Sequence, residues 1–508
     1  MLKCPKCLSE HIIRCSYTES GKQRYLCKDC MFRTVNPIGL NYSDPAINSE
    51  NVNKKIKKSL RKKRWFITSA QNATPIFEKA YDSIKQWCKA NDGALIVVPY
   101  RYRNPTSIFS DNDYEWWDER IVKHLVDKRV KLCNNLVLLG DIKVVPTALN
   151  PLTGIEGFTG SDSCILGHPH YQLRSVATRA GDMPKLMSTT GSITLPNYTN
   201  SKAGKVGDHH HTLGGVVVEW DGEYFHMRHV SFDNDGSFID WDTLYKPDDV
   251  EDAPRVESIT LGDLHQWWVD KDVDKATFGK IIPELRPKHV FIHDAIDSYS
   301  VSHHHRNDPF LKCAKHKHGL NNVRNEIKDL VEFLKERMDD DIKYHIVPSN
   351  HDDHITRYIK ETDWRNDPEN ADFYLETALH MLRGTKVVQG GVSTPRPFDY
   401  WMNKYLPEVD IIPRDSSFEL LGVEHGFHGD QGPNGARGST LNLSKVGVKV
   451  TKGHSHCAEV KDGCYSVGVM APKMAYASGP SSWTTSHVIL YANGKRTHVH
   501  IINGRCRG

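Results

Sequence analysis

Apolar and polar positions recur along this chain in two periods, one of strand type and one of helix type. Apolar runs at 65–69 and 94–100 have strand length, and between them 75–89 sets Ile76, Ala80, Ile84 and Trp87 on one helical face. Residues 136–139 form another buried-strand candidate, and 216–220 with 224–229 flank Asp221-Gly222, a hairpin signal. From 256 onward the order becomes strand, helix, strand, helix. Apolar runs at 257–261, 289–292, 344–347, 420–423 and 446–450 predict strands, and 323–338 aligns Val323, Ile327, Leu330, Val331, Leu334 and Met338 along one helical stripe. Near the end, 486–491 and 495–502 flank Asn493-Gly494, a second hairpin signal. The pattern predicts an α/β protein.

Punctuation divides the pattern into units. Residues 1–34 hold two CxxC pairs, 35–64 read as a polar and then basic linker, and 65–250 read as an α/β domain without recognisable chemistry. Within that domain, 146–207 is rich in Gly, Ser, Thr and Pro. Its nearest approach to a P-loop, Ala203-Gly204-Lys205-Val206, lacks the upstream glycine spacing and the following Ser or Thr. The acidic, proline-bearing stretch 246–255 marks a boundary, and 251–508 form the last domain.

Composition narrows the class. A 508-residue chain that is 38% apolar, with 11 Trp and 20 Tyr, suits a globular protein and argues against a disordered or fibrous one. No run of 18 apolar residues appears and the first residues have no signal-peptide core, so an intracellular protein without a membrane span is expected. The net charge of +3 conceals a segregation: residues 1–64 hold 15 Lys and Arg against 5 Asp and Glu, a net of +10. Lys54, Lys55, Lys57, Lys58, Arg61, Lys62, Lys63 and Arg64 are concentrated at its end, as a tether for the phosphates of DNA would be. The alternative for this run is a solvated linker.

Polar ligand types follow directly on five of the predicted strands: Gly262-Asp263-Leu264-His265, His293-Asp294, Ser349-Asn350-His351-Asp352, His425-Gly426-Phe427-His428, and Gly453-His454-Ser455-His456. Carboxyl ends of strands in an α/β sheet converge on one crevice, and Asp, Asn and His together suit divalent transition metals. A phosphodiester resists attack by water. Two ions about 3.5–4 Å apart, bridged by a carboxylate, can activate a water and stabilise both the attacking and the leaving oxygen.

In order and type these motifs resemble the calcineurin-like metallophosphoesterase superfamily over residues 256–508. The resemblance implies a β-sandwich flanked by helices, with the site at one edge. It implies Asp263, His265 and His456 on one metal, Asp294 bridging, and Asn350, His454 and a fourth-motif histidine on the other. That histidine is His428, where the glycine-rich run begins, or alternatively His425. His351 is implied as proton donor. Mn²⁺ is the first expectation for the pair, with Fe, Zn²⁺ or Mg²⁺ as alternatives. The chain departs from the superfamily in reading His293-Asp294 for Gly-Asp and Ser349-Asn350-His351 for Gly-Asn-His. The runs RYRNPTS, GDIKVVPTALNPLTG, TLPNYTNSKAGK and HGDQGPNGARGS also resemble the pre-early host-DNA-degradation nucleases of certain tailed phages. That resemblance implies a Mn²⁺-activated DNase in a homo-oligomer in the infected host's cytoplasm. The alternatives are a phosphatase or phosphodiesterase acting on phosphoproteins or nucleotides, and a non-catalytic DNA-binding or assembly module.

Secondary signals surround this core. Cys4, Cys7, Cys27 and Cys30, two knuckles 19 residues apart, predict a structural Zn²⁺ ribbon. Arg437, in the glycine-rich loop 429–438, is placed to clamp a phosphate. His303–His305, His354 and Arg357 are candidates for the rim of the site, whereas 209–211 reads as an exposed histidine run, with metal capture as the alternative. Trp267 and Trp268 offer base stacking or, more commonly, packing.

Overall fold

The computed structural model describes residues 4, 6–7, 9–17, 23–34, 57–102 and 116–508. Lys54 and Lys55 fall outside the described residues. The protein is a mixed α/β structure with several sheets.

The sheet that carries the site has six strands in the order Asp410–Ile411, Lys343–Ile346, His289–Ile292, Ser258–Thr260, Ser486–Leu490, Arg496–His500. Ser258–Thr260, His289–Ile292 and Lys343–Ile346 run parallel, and the last two strands form the hairpin about Asn493-Gly494. Parallel neighbours need crossovers, which helices supply. Val323–Lys335 makes one of them. It starts at Asn322, whose side chain accepts the Asn325 N–H at 2.9 Å. The helix ends before Met338, which still packs against the core. Strand alternation sorts the next layer: Val290 and Ile292 join Ile327, Leu330 and Trp401 under the helices, while Phe291 faces Val347 and Ile412 on the other side. Each fully buried aliphatic of the Val323–Leu334 stripe contributes about 1.5–3 kcal/mol of gross burial.

A second sheet has ten strands. Glu419–Leu420, Val423–Glu424, Lys449–Lys452, Cys464–Ser466 and Glu459–Lys461 are followed by Leu173–Val176, Lys185–Thr189, Ser163–Leu166, Leu136–Leu139 and Arg129–Cys133. Val460 pairs with Leu173 and Glu459 with Arg174, so the boundary expected near 250 separates chain segments but not sheets. A third sheet, of four strands, pairs Arg64–Gln71 in parallel with Ala94–Tyr100 across helix Glu78–Ala90, and carries the hairpin about Asp221-Gly222.

Two strand expectations are corrected. The run 420–423 is a tight hairpin, because Leu421 and Gly422 take left-handed φ of 50° and 74° and turn the chain between Glu419–Leu420 and Val423–Glu424. The run 446–450 gives way to Lys449–Lys452, preceded by a turn whose Gly447 has φ of 85°.

Candidate metal centre

Three parallel strands end side by side, so the residues just past Thr260, Ile292 and Ile346 converge. The opposite wall comes from the ten-stranded sheet, where His428 follows Val423–Glu424 and His454 and His456 follow Lys449–Lys452. Backbone bonds tie these loops together. The Leu264 and His265 N–H groups donate to the carbonyls of His293 and Asp294 at 2.9 and 2.7 Å, and the Gly453 N–H donates to that of His428 at 2.8 Å.

Asp294 is the hub. Its Oδ2 lies 3.4 Å from His428 Nε2, 3.5 Å from His265 Nε2 and 3.9 Å from His456 Nε2. His456 Nε2 is 3.2 Å from Asp263 Oδ2 and 3.2 Å from His265 Nε2. On the other side the His428 and His454 rings are 5.2 Å apart, and His454 Nδ1 lies 3.1 Å from Asn350 Oδ1. The seven implied ligands are thus brought into one pocket. Asp263, His265, Asp294, His428 and His456 are buried, while Asn350 and His454 are half-buried.

This pocket has unused lone pairs. Among the described residues, Asp263 Oδ1, Asp294 Oδ1 and His428 Nε2 are buried without a hydrogen-bond partner. An unsatisfied buried polar atom costs about 1–3 kcal/mol, a cost that a bound cation removes. Space is kept for it: a Cβ at Gly453 would lie 2.2 Å from Asp263 Oδ1 and 2.9 Å from His293 Cβ. Two carboxylates, one amide oxygen and four imidazoles are a donor set that could hold divalent cations.

Backbone strain marks the same residues. His265, Asp294, His454 and His456 take left-handed φ of 45°, 42°, 73° and 55°. Each costs a non-glycine residue about 1–2 kcal/mol, and such outliers concentrate at functional sites. Electrostatics holds the donors in different states. Burial raises the Asp294 carboxyl, but His428, His351 and His456 outweigh it and hold the group well below the usual range. Burial lowers His456, yet Asp263 and Asp294 raise it to about 9. Burial pushes His454 down to about 4, leaving a neutral ring with a lone pair.

The two histidines of the fourth motif lie in different surroundings. His425 stacks on Phe291 with ring centroids 4.4 Å apart, against Thr260, whereas His428 reaches Asp294. His351 adjoins the seven, grouped with His265 and Asp294, and its Nδ1 lies 3.2 Å from Asp297 Oδ1, which leaves Nε2 to face away from that carboxylate. Asp297 also lies 3.0 Å from His265 Nδ1, so one buried carboxylate orients two imidazoles. Asp297→Asn is expected to lower any metal-dependent turnover about 10–100-fold through misoriented rings, with secondary structure unchanged in circular dichroism.

Other sequence candidates lie at varied distances from this pocket. His303 packs edge-on against His354, 4.9 Å away, and His354 is 5.1 Å from His351, which puts them at the rim. Arg357 lines a cavity of about 560 Å³ with His303, His305, Arg306 and Lys315. Arg437 is exposed where its loop bridges back to Gln431. Trp267 donates to Asp329 and Trp268 packs on Tyr299, the packing role rather than an open stacking face. The run 209–211 is not uniformly exposed: His211 bonds Tyr198 and the Thr194 carbonyl.

In the basic run, Lys57, Lys58, Arg61 and Lys63 are exposed, but part of the run is tied into the body. Lys62 pairs with Asp92, Lys63 lies 5.9 Å from the Trp220 ring, and Arg64 pairs with Glu219 and bonds the Gly508 carbonyl. Arg64 is thus partly engaged by the body, sharing the buried Glu219 with Arg228. Cys4, Cys7, Cys27 and Cys30 bring their sulfurs within 4.8 Å of one another beside a three-stranded antiparallel sheet. They could hold a structural metal.

Sequence reasoning missed Asp297, the buried Lys452 that bonds the Gly453 carbonyl and Ser455, and Arg414, which ties the Pro348 carbonyl to Asp430. It also missed Trp483, edge-on to His456 at 4.2 Å. None of them sits in a motif, and only the doublet Lys452-Gly453 adjoins one.

One relative decides the kinship. Protein A1 of Escherichia phage T5 is 30% identical over 466 residues, covering 87% of this chain and 82% of the phage protein. This chain belongs to the Protein A1 family. No protein-family model matches it, and no solved structure matches it. Among the described residues of this Protein A1 relative, no helix is long and apolar enough to cross a membrane.

Proposed function

We propose that the chain is a two-metal phosphodiesterase of the calcineurin-like metallophosphoesterase kind, acting on DNA. The observation that supports this most directly is Asp294: one carboxylate oxygen within 3.9 Å of three imidazoles, the other buried without a partner among the described residues. Asp263, His265, Asp294 and His456 would hold one divalent cation, and Asp294, Asn350, His428 and His454 the other. The ions, Mn²⁺ foremost, supply Lewis acidity toward a phosphate and lower the pKa of a bound water. The chain's own part is to fix the ligands on strained, mutually bonded loops, and to hold a proton at His351 for the leaving oxygen.

DNA is favoured over other phosphodiesters by the +10 segment at 1–64, by the cysteine cluster inside it, and by kinship with a phage protein. Plasmid nicking in Mn²⁺, run beside a chromogenic bis-nitrophenyl phosphodiester, tests the reading. Cleavage of both substrates, lost on chelation, is expected. A metal-loaded, folded chain that cleaves neither would refute it.

The tether is tested separately. Residues 1–56 hold nine Lys and Arg against five Asp and Glu. Their removal stops short of Ser59, whose carbonyl takes the Trp65 indole N–H at 3.0 Å, so the body stays braced. The truncated chain is expected to cleave DNA about tenfold more slowly near 0.15 M salt, with a flatter salt dependence, because fewer phosphate counterions are released. Hydrolysis of the small diester should stay within about twofold. An equal fall on both substrates would remove the tether from the account.

A further inference from the structure

Outside the catalytic pocket and the cysteine cluster, a third set of ligating side chains meets where two distant segments join. His170 precedes strand Leu173–Val176, His210 ends helix Lys202–His210, and Asp462 lies in the turn between Glu459–Lys461 and Cys464–Ser466. The antiparallel register sets Glu459 against Arg174 and Val460 against Leu173. Continued past the strand ends, it brings the loop at 170 level with the turn at 462.

The donors converge. His170 Nε2 lies 2.9 Å and His210 Nδ1 3.7 Å from Asp462 Oδ1, and all three ligand atoms lie within 4.8 Å of one another. Ligands about 2.0–2.2 Å from one tetrahedral ion stand about 3.3–3.6 Å apart, which the two spacings to Asp462 bracket. The His170 side chain is only 5% exposed. Its Nε2 is held against the Asp462 carboxylate, while its Nδ1 has no hydrogen-bond partner among the described residues.

Neighbouring histidines of the same two runs show the ordinary solution. His168 places Nε2 3.1 Å from the Val145 carbonyl and accepts the His170 N–H on Nδ1, and His211 uses both ring nitrogens on Tyr198 and Thr194. His170 instead turns Nε2 to a carboxylate oxygen that His210 also approaches, so one acceptor faces two imidazoles. Lys461 stands 3.4 Å from Asp462 Oδ2, leaving Oδ1 for a ligand.

We propose that His170, His210 and Asp462 form a further metal site taking a divalent first-row cation, Zn²⁺ above all, with water in the remaining position. Two imidazoles and a carboxylate are the donor set such ions prefer. This site is separate from the catalytic pocket. Val450 pairs with Cys464 and Lys452 with Ser466 in parallel, so Asp462 precedes one end of that strand pair while His454 follows the other. An ion here clamps a loop and a helix end from before residue 250 to a turn from beyond it, at the seam of the shared sheet.

The test uses the full chain, stripped with chelator and titrated with Zn²⁺, the bound metal being counted by mass spectrometry after gel filtration. His210→Ala alters a half-buried helix end, and Asp462→Asn keeps the size of the turn residue. Each variant is expected to retain one zinc fewer per chain and to gain less melting temperature from Zn²⁺, while melting as the unsubstituted chain does in chelator. Loss of a direct ligand should weaken that one equivalent by about 100-fold or more. Equal zinc content in the unsubstituted chain and His210→Ala would overturn the proposal, as would an equivalent held only at millimolar Zn²⁺. Should Asp462→Asn fail to fold, His210→Ala alone carries the decision.

Discussion

Asp294→Asn is expected to abolish metal-dependent cleavage while leaving the fold in place. The substitution conserves shape and removes one charge from a group that touches three imidazoles. An asparagine would offer one oxygen to one ion, and its NH₂ would then face a ring nitrogen or the second ion. Two dications without a shared anionic bridge repel each other, so the loss is of both ions' geometry rather than of one contact. Residues that act as one catalytic unit cost about 10⁴-fold or more when any single one is removed, equivalent to about 5.5 kcal/mol of lost transition-state stabilisation. The strained backbone at 294 should persist, because it is fixed by the His265 N–H on the Asp294 carbonyl and not by the carboxylate. The measurement is kcat/KM on the small diester with bound metal counted in parallel, and near-ultraviolet dichroism as the control for packing. Mn²⁺-dependent turnover above about a hundredth of the unsubstituted rate would remove Asp294 from the bridging position.

Where burial makes a continuous apolar run, the chain could be read directly. Leu136–Leu139 and His289–Ile292 have the bounds their residues predict, since strands covered on both faces show little alternation and need only Leu, Val, Ile and Phe. The segment 146–207 was opaque for the opposite reason. Ser163–Leu166 and Lys185–Thr189 are wholly buried but short, and polar residues occupy the first position of one and both ends of the other. Lys185 sends its ammonium to the Glu156 and Gly160 carbonyls, and Thr189 bonds the His170 carbonyl, so hydrogen bonds stand in for hydrophobic patterning. The pairing of Val460 with Leu173 could not be read at all, because nothing local encodes a partner almost three hundred residues away. The pocket was legible to the extent that its ligands directly follow strands. The different surroundings of His425 and His428 were not, as both stand within four residues of Glu424 and only the folded chain stacks the first on Phe291. Asp297 was invisible: three positions past Asp294 it looks like any loop acid, and its hold on His265 and His351 exists only in space.

His351→Gln is expected to separate proton donation from metal binding. His351, His265 and Asp294 can bring ligand atoms within 4.8 Å, so geometry alone admits His351 as a ligand. Two features favour the donor role. Asp297 engages Nδ1, which fixes the tautomer and leaves Nε2 for the substrate side. Burial lowers the ring's proton affinity, but the Asp294 and Asp297 carboxylates outweigh that and raise it to about 10, so the ring carries its proton at neutral pH. A donor matters in proportion to the basicity of the leaving group. A deoxyribose alkoxide needs the proton, whereas a nitrophenolate leaves without it. Cleavage of DNA should therefore fall about 10²–10⁴-fold and hydrolysis of the nitrophenyl diester by less than about tenfold, with bound metal unchanged. A uniform fall on both substrates, accompanied by loss of a metal equivalent, would instead make His351 an eighth ligand and leave the leaving oxygen to be protonated from elsewhere.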